Sequence, residues 1–179
     1  GAVRFLFVGA VRQMKGISYL LEAFETVNPE SAHLEIVGDC MIPDRLQHKN
    51  ASNIEYLGYL LPETVANRYK DADVFVFPSL CDGFGLAALE AMASGLPVIC
   101  SANSGVADLI QDGVNGFVVE TGDAGELRDR IVWFTEHRDR MKDMKRAAME
   151  TGRNYSWEKY EDNVNRAVIE MIQRKYKNG

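Results

Sequence analysis

The sequence contains little cysteine and no long apolar run. Its three cysteines are too few and too irregularly spaced for a disulfide framework or a zinc site, which favours a reducing cytoplasm. No run of about 18 apolar residues is present and no signal peptide is recognisable, so we expect neither a membrane-spanning helix nor secretion. The charged segment 138–153 can lie against the inner face of an anionic membrane, although a solvated helix face is the favoured interpretation.

An excess of basic residues is also missing, because the net charge at pH 7 is −6. The deficit lies in residues 1–122, which hold 7 basic and 15 acidic side chains. Non-specific binding of nucleic acid requires a positive field and is therefore not expected. An anionic ligand of this part of the chain must be held by a few placed cations. The three histidines show no metal-ligand spacing, so no metal site is predicted.

Strands and helices alternate along most of the 179 residues, a length that suits the single domain expected over residues 3–176. After Gly122 the pattern is helical, with a last helix expected from Trp157 to about Tyr176. The alternation predicts an α/β fold, a Rossmann-like, doubly wound parallel sheet of about six strands with helices on both faces and a helical C-terminus. The predicted strands are 3–8, 33–37, 53–57, 73–77, 97–100 and 117–119. Helices are predicted over 17–27 and, as a short one, over 106–110.

The strongest functional signal lies in residues 78–98. A buried strand ends there, and the loop Gly83-Phe84-Gly85 leads into a run of strong helix formers. A helix that begins after such a loop presents free N–H groups, which suit a phosphate. Asp82 precedes the loop and Glu90 lies in the second turn of the helix, where carboxylates can accept hydrogen bonds from sugar hydroxyls.

The other candidate residues are brought to the same place by the expected topology. Ligands of parallel sheets bind at the carboxyl ends of the strands. The loops that we expect at that edge are 9–16, 38–44, 58–62, 78–85 and 101–105. Because these loops share an edge, the fold gathers Arg12, Lys15, Asp82 and Glu90 from distant parts of the sequence.

The run Leu89-Glu-Ala-Met-Ala-Ser-Gly-Leu-Pro-Val-Ile99, with Gly83-Phe84-Gly85 before it, resembles the donor-binding motif of GT-B fold glycosyltransferases of the group 1, or family 4, type. The family motif is Glu, seven residues, Glu, and Asp82 replaces the first of these here. The resemblance covers about residues 3–160, which is one of the two Rossmann-like domains of a GT-B enzyme. It implies the C-terminal, donor-binding domain without the N-terminal, acceptor-binding one.

The resemblance implies a hexosyltransferase of bacterial-type glycan biosynthesis. Such an enzyme takes a sugar from a nucleoside-diphosphate donor, for example a UDP or GDP sugar, retains its anomeric configuration and needs no metal or other cofactor. The isolated domain is expected to be inactive alone. Two alternatives stay open: a non-catalytic nucleotide-sugar-binding module of the same fold, and a glycan phosphorylase, which no pyridoxal lysine supports.

Roles for single residues also follow from the resemblance. Lys15 matches the lysine that, with an arginine, holds the donor diphosphate and stabilises the leaving group. The arginine position is Ala10 in this chain, and Arg12 is the candidate replacement. Glu90 is expected to bind the ribose, and the ring of Phe84 is expected to pack. Asp82 is expected to lie beside the sugar, where the matching family residue contacts sugar hydroxyls or assists the chemistry, and is a candidate catalytic residue together with Lys15 and Arg12. The further expected donor contacts are Gly83, Phe84, Gly85, Leu86, Gly9, Gly38 and Tyr59.

Overall fold

The computed structural model describes residues 1–43, 46–47 and 51–155, and it confirms the α/β fold. Six parallel strands form one sheet in the order β3-β2-β1-β4-β5-β6. The strands are β1 (Val3–Val8), β2 (Ala32–Val37), β3 (Ile54–Gly58), β4 (Val74–Phe77), β5 (Val98–Ser101) and β6 (Gly116–Val119). The helices are α1 (Ile17–Glu25), α2 (Pro62–Asp71), α3 (Leu86–Ala93), α4 (Ala124–Glu136) and α5 (Arg138–Asn154).

Both faces of the sheet are buried, because successive strand residues point to opposite sides and both sides are apolar. Phe5 and Phe7 of β1 join a cluster with α1 and α4, while Leu6 joins a second cluster with α2 and α3. The Phe5 ring meets the edges of Phe24 at 5.5 Å and Phe134 at 6.4 Å between centroids. Each such buried side chain stabilises the fold by roughly 1.5–3 kcal/mol.

Three expected helix boundaries differ from the structure or fall outside it. The helix expected over 17–27 ends at Glu25, although Val27 remains buried. The short helix expected at 106–110 is a 3₁₀ turn, Gly105–Leu109. The helix expected over 157–176 lies outside the described residues. None of the helices in the described part of the chain is long and apolar enough to cross a bilayer.

Helix α5 packs across α3 rather than against the sheet alone. Met144 and Ala148 of α5 are buried, and Gly152 lies so close to the end of α3 that a Cβ there would sit 2.7 Å from the Cα of Ala93. Such an approach is closer than any real Cβ contact, so the two helices touch backbone to backbone at this point.

The loops at the carboxyl ends of the strands are joined to one another by backbone hydrogen bonds. The N–H of Gly38, after β2, donates to the carbonyl of Gly58 at the end of β3 over 2.8 Å. Asp82, after β4, and Ser104, after β5, form an isolated parallel bridge. The expected shared edge is therefore present, and it positions the candidate residues.

Candidate functional site

Lys15 lies in a loop that is joined to the loop after β4. The 3₁₀ turn Gln13–Lys15 ends at Gly16, which adopts a left-handed conformation with φ 71°. A Cβ on Gly16 would overlap the carbonyl oxygen of Pro78, so a larger residue would separate the two loops. The N–H of Leu80 donates to the carbonyl of Met14 over 3.0 Å. These contacts bring Lys15 to the end of β4.

Asp82 forms an ion pair with Lys15. The Lys15 ammonium forms an ion pair with Asp82 Oδ2, and the N–H of Phe84 donates to Asp82 Oδ1 over 3.2 Å. Burial acts to raise the pKa of the Asp82 carboxyl. The hydrogen bond and charge of Lys15, with the amides of Phe84 and Gly85, outweigh burial and hold that pKa below its usual value. Asp82 is therefore a carboxylate at neutral pH.

Glu90 has a partner that the sequence did not suggest. It is exposed on α3, and the hydroxyl of Tyr69, on α2, donates to its Oε2 over 3.2 Å. Tyr69 is only 4% exposed, and its burial, together with the charge and hydrogen bond of Glu90, raises the pKa of its hydroxyl. Tyr69 thus remains a hydrogen-bond donor that orients one oxygen of the Glu90 carboxylate.

The glycine loop places the N-terminus of α3 beside Asp82. Gly85 precedes the helix in a left-handed conformation with φ 86°, packed against Phe77 and Val106. The Phe84 ring stacks on Tyr155 with centroids 5.3 Å apart, so this side chain packs while its N–H faces Asp82. The first-turn amides of a helix lack intrahelical acceptors, and those of α3 point towards the same edge.

Most of the remaining residues that were expected to contact the donor are exposed. Arg12 and Tyr59 are exposed, and so are Gly83 and Leu86. Gly9 and Gly38 lie against each other, since a Cβ on Gly38 would overlap the carbonyl of Gly9. Close packing of β1 and β2 therefore gives a structural reason for glycine at position 38. The roles expected for these residues stay predictions.

One group of possible metal ligands lies away from this edge, and the histidine spacing did not reveal it. Three side chains each contribute one possible ligand atom, and these atoms lie within 4.8 Å of one another; the residues are His33, Glu35 and Glu55. His33 and Glu55 are each the second residue of their strands, at the opposite end from Lys15. Arg68 lies 3.6 Å from Glu35, and His33 Nε2 lies 3.5 Å from Glu55, so ordinary ion pairs account for the group.

The fold and this edge define a class of protein: a Rossmann-like α/β domain with a cation, helix amides and two carboxylates where such domains bind nucleotides. The sequence profile of the family described as "Glycosyl transferases group 1" matches residues 2–151. The chain belongs to this glycosyltransferase family, of which it represents the C-terminal domain.

Relatives and solved structures agree with this assignment. An uncharacterized glycosyltransferase of Methanocaldococcus jannaschii, MJ1178, is 28% identical over 93% of this chain and 48% of its own length. Sucrose-phosphate synthase from Thermosynechococcus elongatus superposes with a TM-score of 0.79 at 25% identity, over 97% of this chain and 46% of that protein. The C-terminal domain of a group 1 glycosyl transferase (LpcC) from Francisella tularensis has a TM-score of 0.75 at 23% identity, over 83% of each chain.

The chain spans about half the length of the curated relatives it matches, namely 48% of MJ1178 and 46% of MJ1607, a second uncharacterized glycosyltransferase of the same organism.

Proposed function

We propose that this chain binds a nucleoside-diphosphate sugar and presents it for transfer of a hexose to an acceptor. The observation that carries the proposal is the meeting of Lys15 and Asp82 with the N-terminus of α3 at one edge of the sheet. A cation beside helix amides suits the diphosphate, and the carboxylate of Glu90, one helix turn further, suits the ribose hydroxyls. UDP and GDP are the nucleotides we propose first.

The proposed chemistry follows from the charge at the leaving group. Negative charge grows on the diphosphate as the bond to the sugar breaks, so Lys15 binds the transition state more tightly than the donor. We propose that Lys15 performs this role without a metal or another cofactor, with Arg12 as a second cation. Retention of the anomeric configuration is part of the proposal and rests on the family resemblance.

The whole protein is proposed to bind its acceptor mainly through a second, N-terminal domain that faces this edge. The half-length match to the relatives supports a two-domain protein. A cytoplasmic location, at or near the inner face of the membrane, is also proposed. The three cysteines are all described and unpaired, as a reducing compartment favours.

A non-catalytic binding module is the second candidate. The ion pair between Asp82 and Lys15 favours it, because the lysine proposed to stabilise the leaving group is already neutralised by a carboxylate. A protein that joins both domains, binds donor and neither transfers nor hydrolyses it across a broad acceptor panel would be such a module.

Calorimetric titration of the 179-residue chain with UDP, GDP, ADP and their sugars tests the binding proposal. We expect Glu90→Gln to weaken the preferred nucleoside diphosphate by about tenfold, because a charged acceptor of hydroxyl hydrogen bonds becomes a neutral one. Binding of inorganic pyrophosphate, which has no ribose, should stay within about twofold.

Glu136→Gln, at an exposed glutamate at the end of α4, is the matched control and should change neither ligand. Equal losses for the nucleotide and for pyrophosphate would remove the ribose role of Glu90. Absence of binding for all three nucleotides would contradict the proposed donor site.

A further inference from the structure

The Asp82 carboxylate already occupies the positive groups that a diphosphate would use. Its Oδ2 is paired with the Lys15 ammonium, and its Oδ1 accepts from the N–H of Phe84. The amide of Gly85, the residue immediately before α3, also helps to lower the pKa of this carboxyl. The Asp82 carboxylate thus fills the anion-binding site that Lys15 and the backbone amides form.

Backbone hydrogen bonds fix the loop that carries this carboxylate. The N–H of Asp82 donates to the carbonyl of Asn103 over 3.3 Å, and its carbonyl accepts from Gly105 over 3.2 Å. The loop is therefore anchored on both sides of the side chain, whereas the carboxylate itself is free to rotate about two bonds. An incoming anion can displace the carboxylate without moving the loop.

Electrostatics make this carboxylate a competitor for anions. The Lys15 and Asp82 side chains are 22% and 17% exposed, so water screens their charges only in part. A unit charge about 5 Å from a bound anion, at an effective dielectric constant of about 40, changes its affinity on the order of tenfold. The surrounding residues 1–122 carry an acidic excess and supply little compensating positive charge.

We propose that Asp82 is the resident counter-ion of Lys15, and that a diphosphate binds by replacing its carboxylate on Lys15 and on the amide of Phe84. This inference rests on the proposed function and adds to it a residue that sets affinity by charge rather than by contact with the sugar. The exchange weakens the hold of the site on the released nucleoside diphosphate and so favours its departure.

Calorimetric titration of the chain with inorganic pyrophosphate and with the preferred nucleoside diphosphate tests this exchange. At about 10 mM ionic strength we expect Asp82→Asn to tighten both ligands alike, on the order of tenfold. The gain should shrink towards onefold near 0.5 M salt because the charges are then screened over about 4 Å. Asp82→Glu, which keeps the charge, should stay within about threefold of the parent chain.

Two further variants separate this exchange from a general effect of charge. Asp129→Asn removes a charge from an exposed residue of α4, paired with Arg128, and should change neither affinity by more than about twofold. In the Lys15→Met background, Asp82→Asn should give less than half of its gain, because the competition passes through the lysine.

The outcomes distinguish this inference from the proposed function. If the parent chain and Asp82→Asn both bind the two ligands, and the variant binds them no more tightly than the parent, the inference is overturned and the proposed donor site stands. The corresponding nucleotide sugar is titrated alongside. If Asp82→Asn weakens binding of the nucleotide sugar alone, the inference is overturned and Asp82 is a sugar ligand instead. No binding of pyrophosphate or any nucleoside diphosphate by either protein overturns both.

Discussion

Lys15 and Arg12 lie in the same loop but differ in what holds them. Lys15 is partly buried, with its ammonium on Asp82 and 5.5 Å from the centre of the Phe77 ring. Arg12 is exposed, and its backbone carbonyl accepts a hydrogen bond from the N–H of Lys15 over 3.0 Å. A placed cation acts on a ligand at a fixed distance, whereas an exposed one must first be ordered.

In a protein that joins this chain to the proposed acceptor domain, Lys15→Ala should therefore lower kcat on the order of 10²–10³. KM should change much less, because the lysine contributes most after charge has moved onto the diphosphate. Steady-state kinetics with the preferred nucleotide sugar measure both constants. A rise in KM at unchanged kcat would show that Lys15 serves binding alone.

Arg12→Ala is the matched comparison at the residue scale. We expect it to resemble Lys15→Ala only if Arg12 has taken over from the arginine missing at position 10. An effect smaller than about threefold would leave Lys15 as the cation that acts at the leaving group.

At the same scale, the sequence predicted positions better than partners. The meeting of Lys15 and Asp82 follows from topology, since both residues come after strands that end at one edge. Tyr69 was not predicted, because its contact with Glu90 depends on how α2 is placed and rotated beside α3. The pairing of His33 with Glu55 depends in the same way on strand order, which spacing along the chain does not encode.

Between α3 and α5, the closest contact depends on the absence of a side chain. Gly152 is helical and buried, although glycine costs about 1 kcal/mol relative to alanine inside a helix. The space beside it is filled by the backbone of Ala93, which cannot rotate away as a flexible side chain can. Glycine at position 152 thus lowers the helix propensity of α5 but allows α5 to cross α3 at close range.

Gly152→Ala should lower the free energy of unfolding by about 1–3 kcal/mol, because overpacking against a backbone outweighs the better helix propensity. Urea denaturation followed by circular dichroism measures the change. Glu150→Ala, at an exposed position of the same helix, should stay within about 0.5 kcal/mol. An increase in the free energy of unfolding for Gly152→Ala would show that α3 and α5 can move apart without loss of stability.

Helix and strand identities were predicted well from periodicity, and their ends less well. The strands were predicted from short segments in which apolar residues either follow one another, as in β4, or alternate with polar ones, as in β2. The turn Gly105–Leu109 was expected to be α-helical, but within five residues local hydrogen bonding decides between the two helix types. The crossing of α5 over α3 was not predicted, since periodicity identifies a buried helix face but not what covers it.

Across the whole molecule, Asp73 connects three elements near the amino ends of the central strands. It accepts the N–H of Arg4 in β1 over 3.0 Å and the ammonium of Lys145 in α5 over 2.8 Å, and it immediately precedes β4. Burial acts to raise the pKa of this carboxyl. The hydrogen bonds and charges of Lys145 and Arg4 outweigh burial and lower it.

Because the pKa of Asp73 is lower in the folded chain, its contribution to stability is complete above the aspartate pKa of the unfolded chain, about 3.9. The contribution is lost as the pH falls through the folded pKa. We expect the free energy of unfolding to decrease below about pH 4, and Asp73→Asn to show a shallower decrease. Urea titrations from pH 7 to pH 2.5 measure it, and parallel curves for both proteins would contradict the assignment.

The central position of β1 has a consequence for the order in which a ribosome releases the chain. Strands β1, β2 and β3 and helix α1 emerge first and can pair with one another, but β1 waits for β4, and Asp82 follows Lys15 by 67 residues. Until β4 and Asp82 have left the exit tunnel, Lys15 lacks the Asp82 carboxylate. During that time the edge of β1 that later pairs with β4 remains unpaired. Nascent chains halted before β4 would therefore carry an exposed strand and an unshielded cation, which are features that chaperones and anionic surfaces bind.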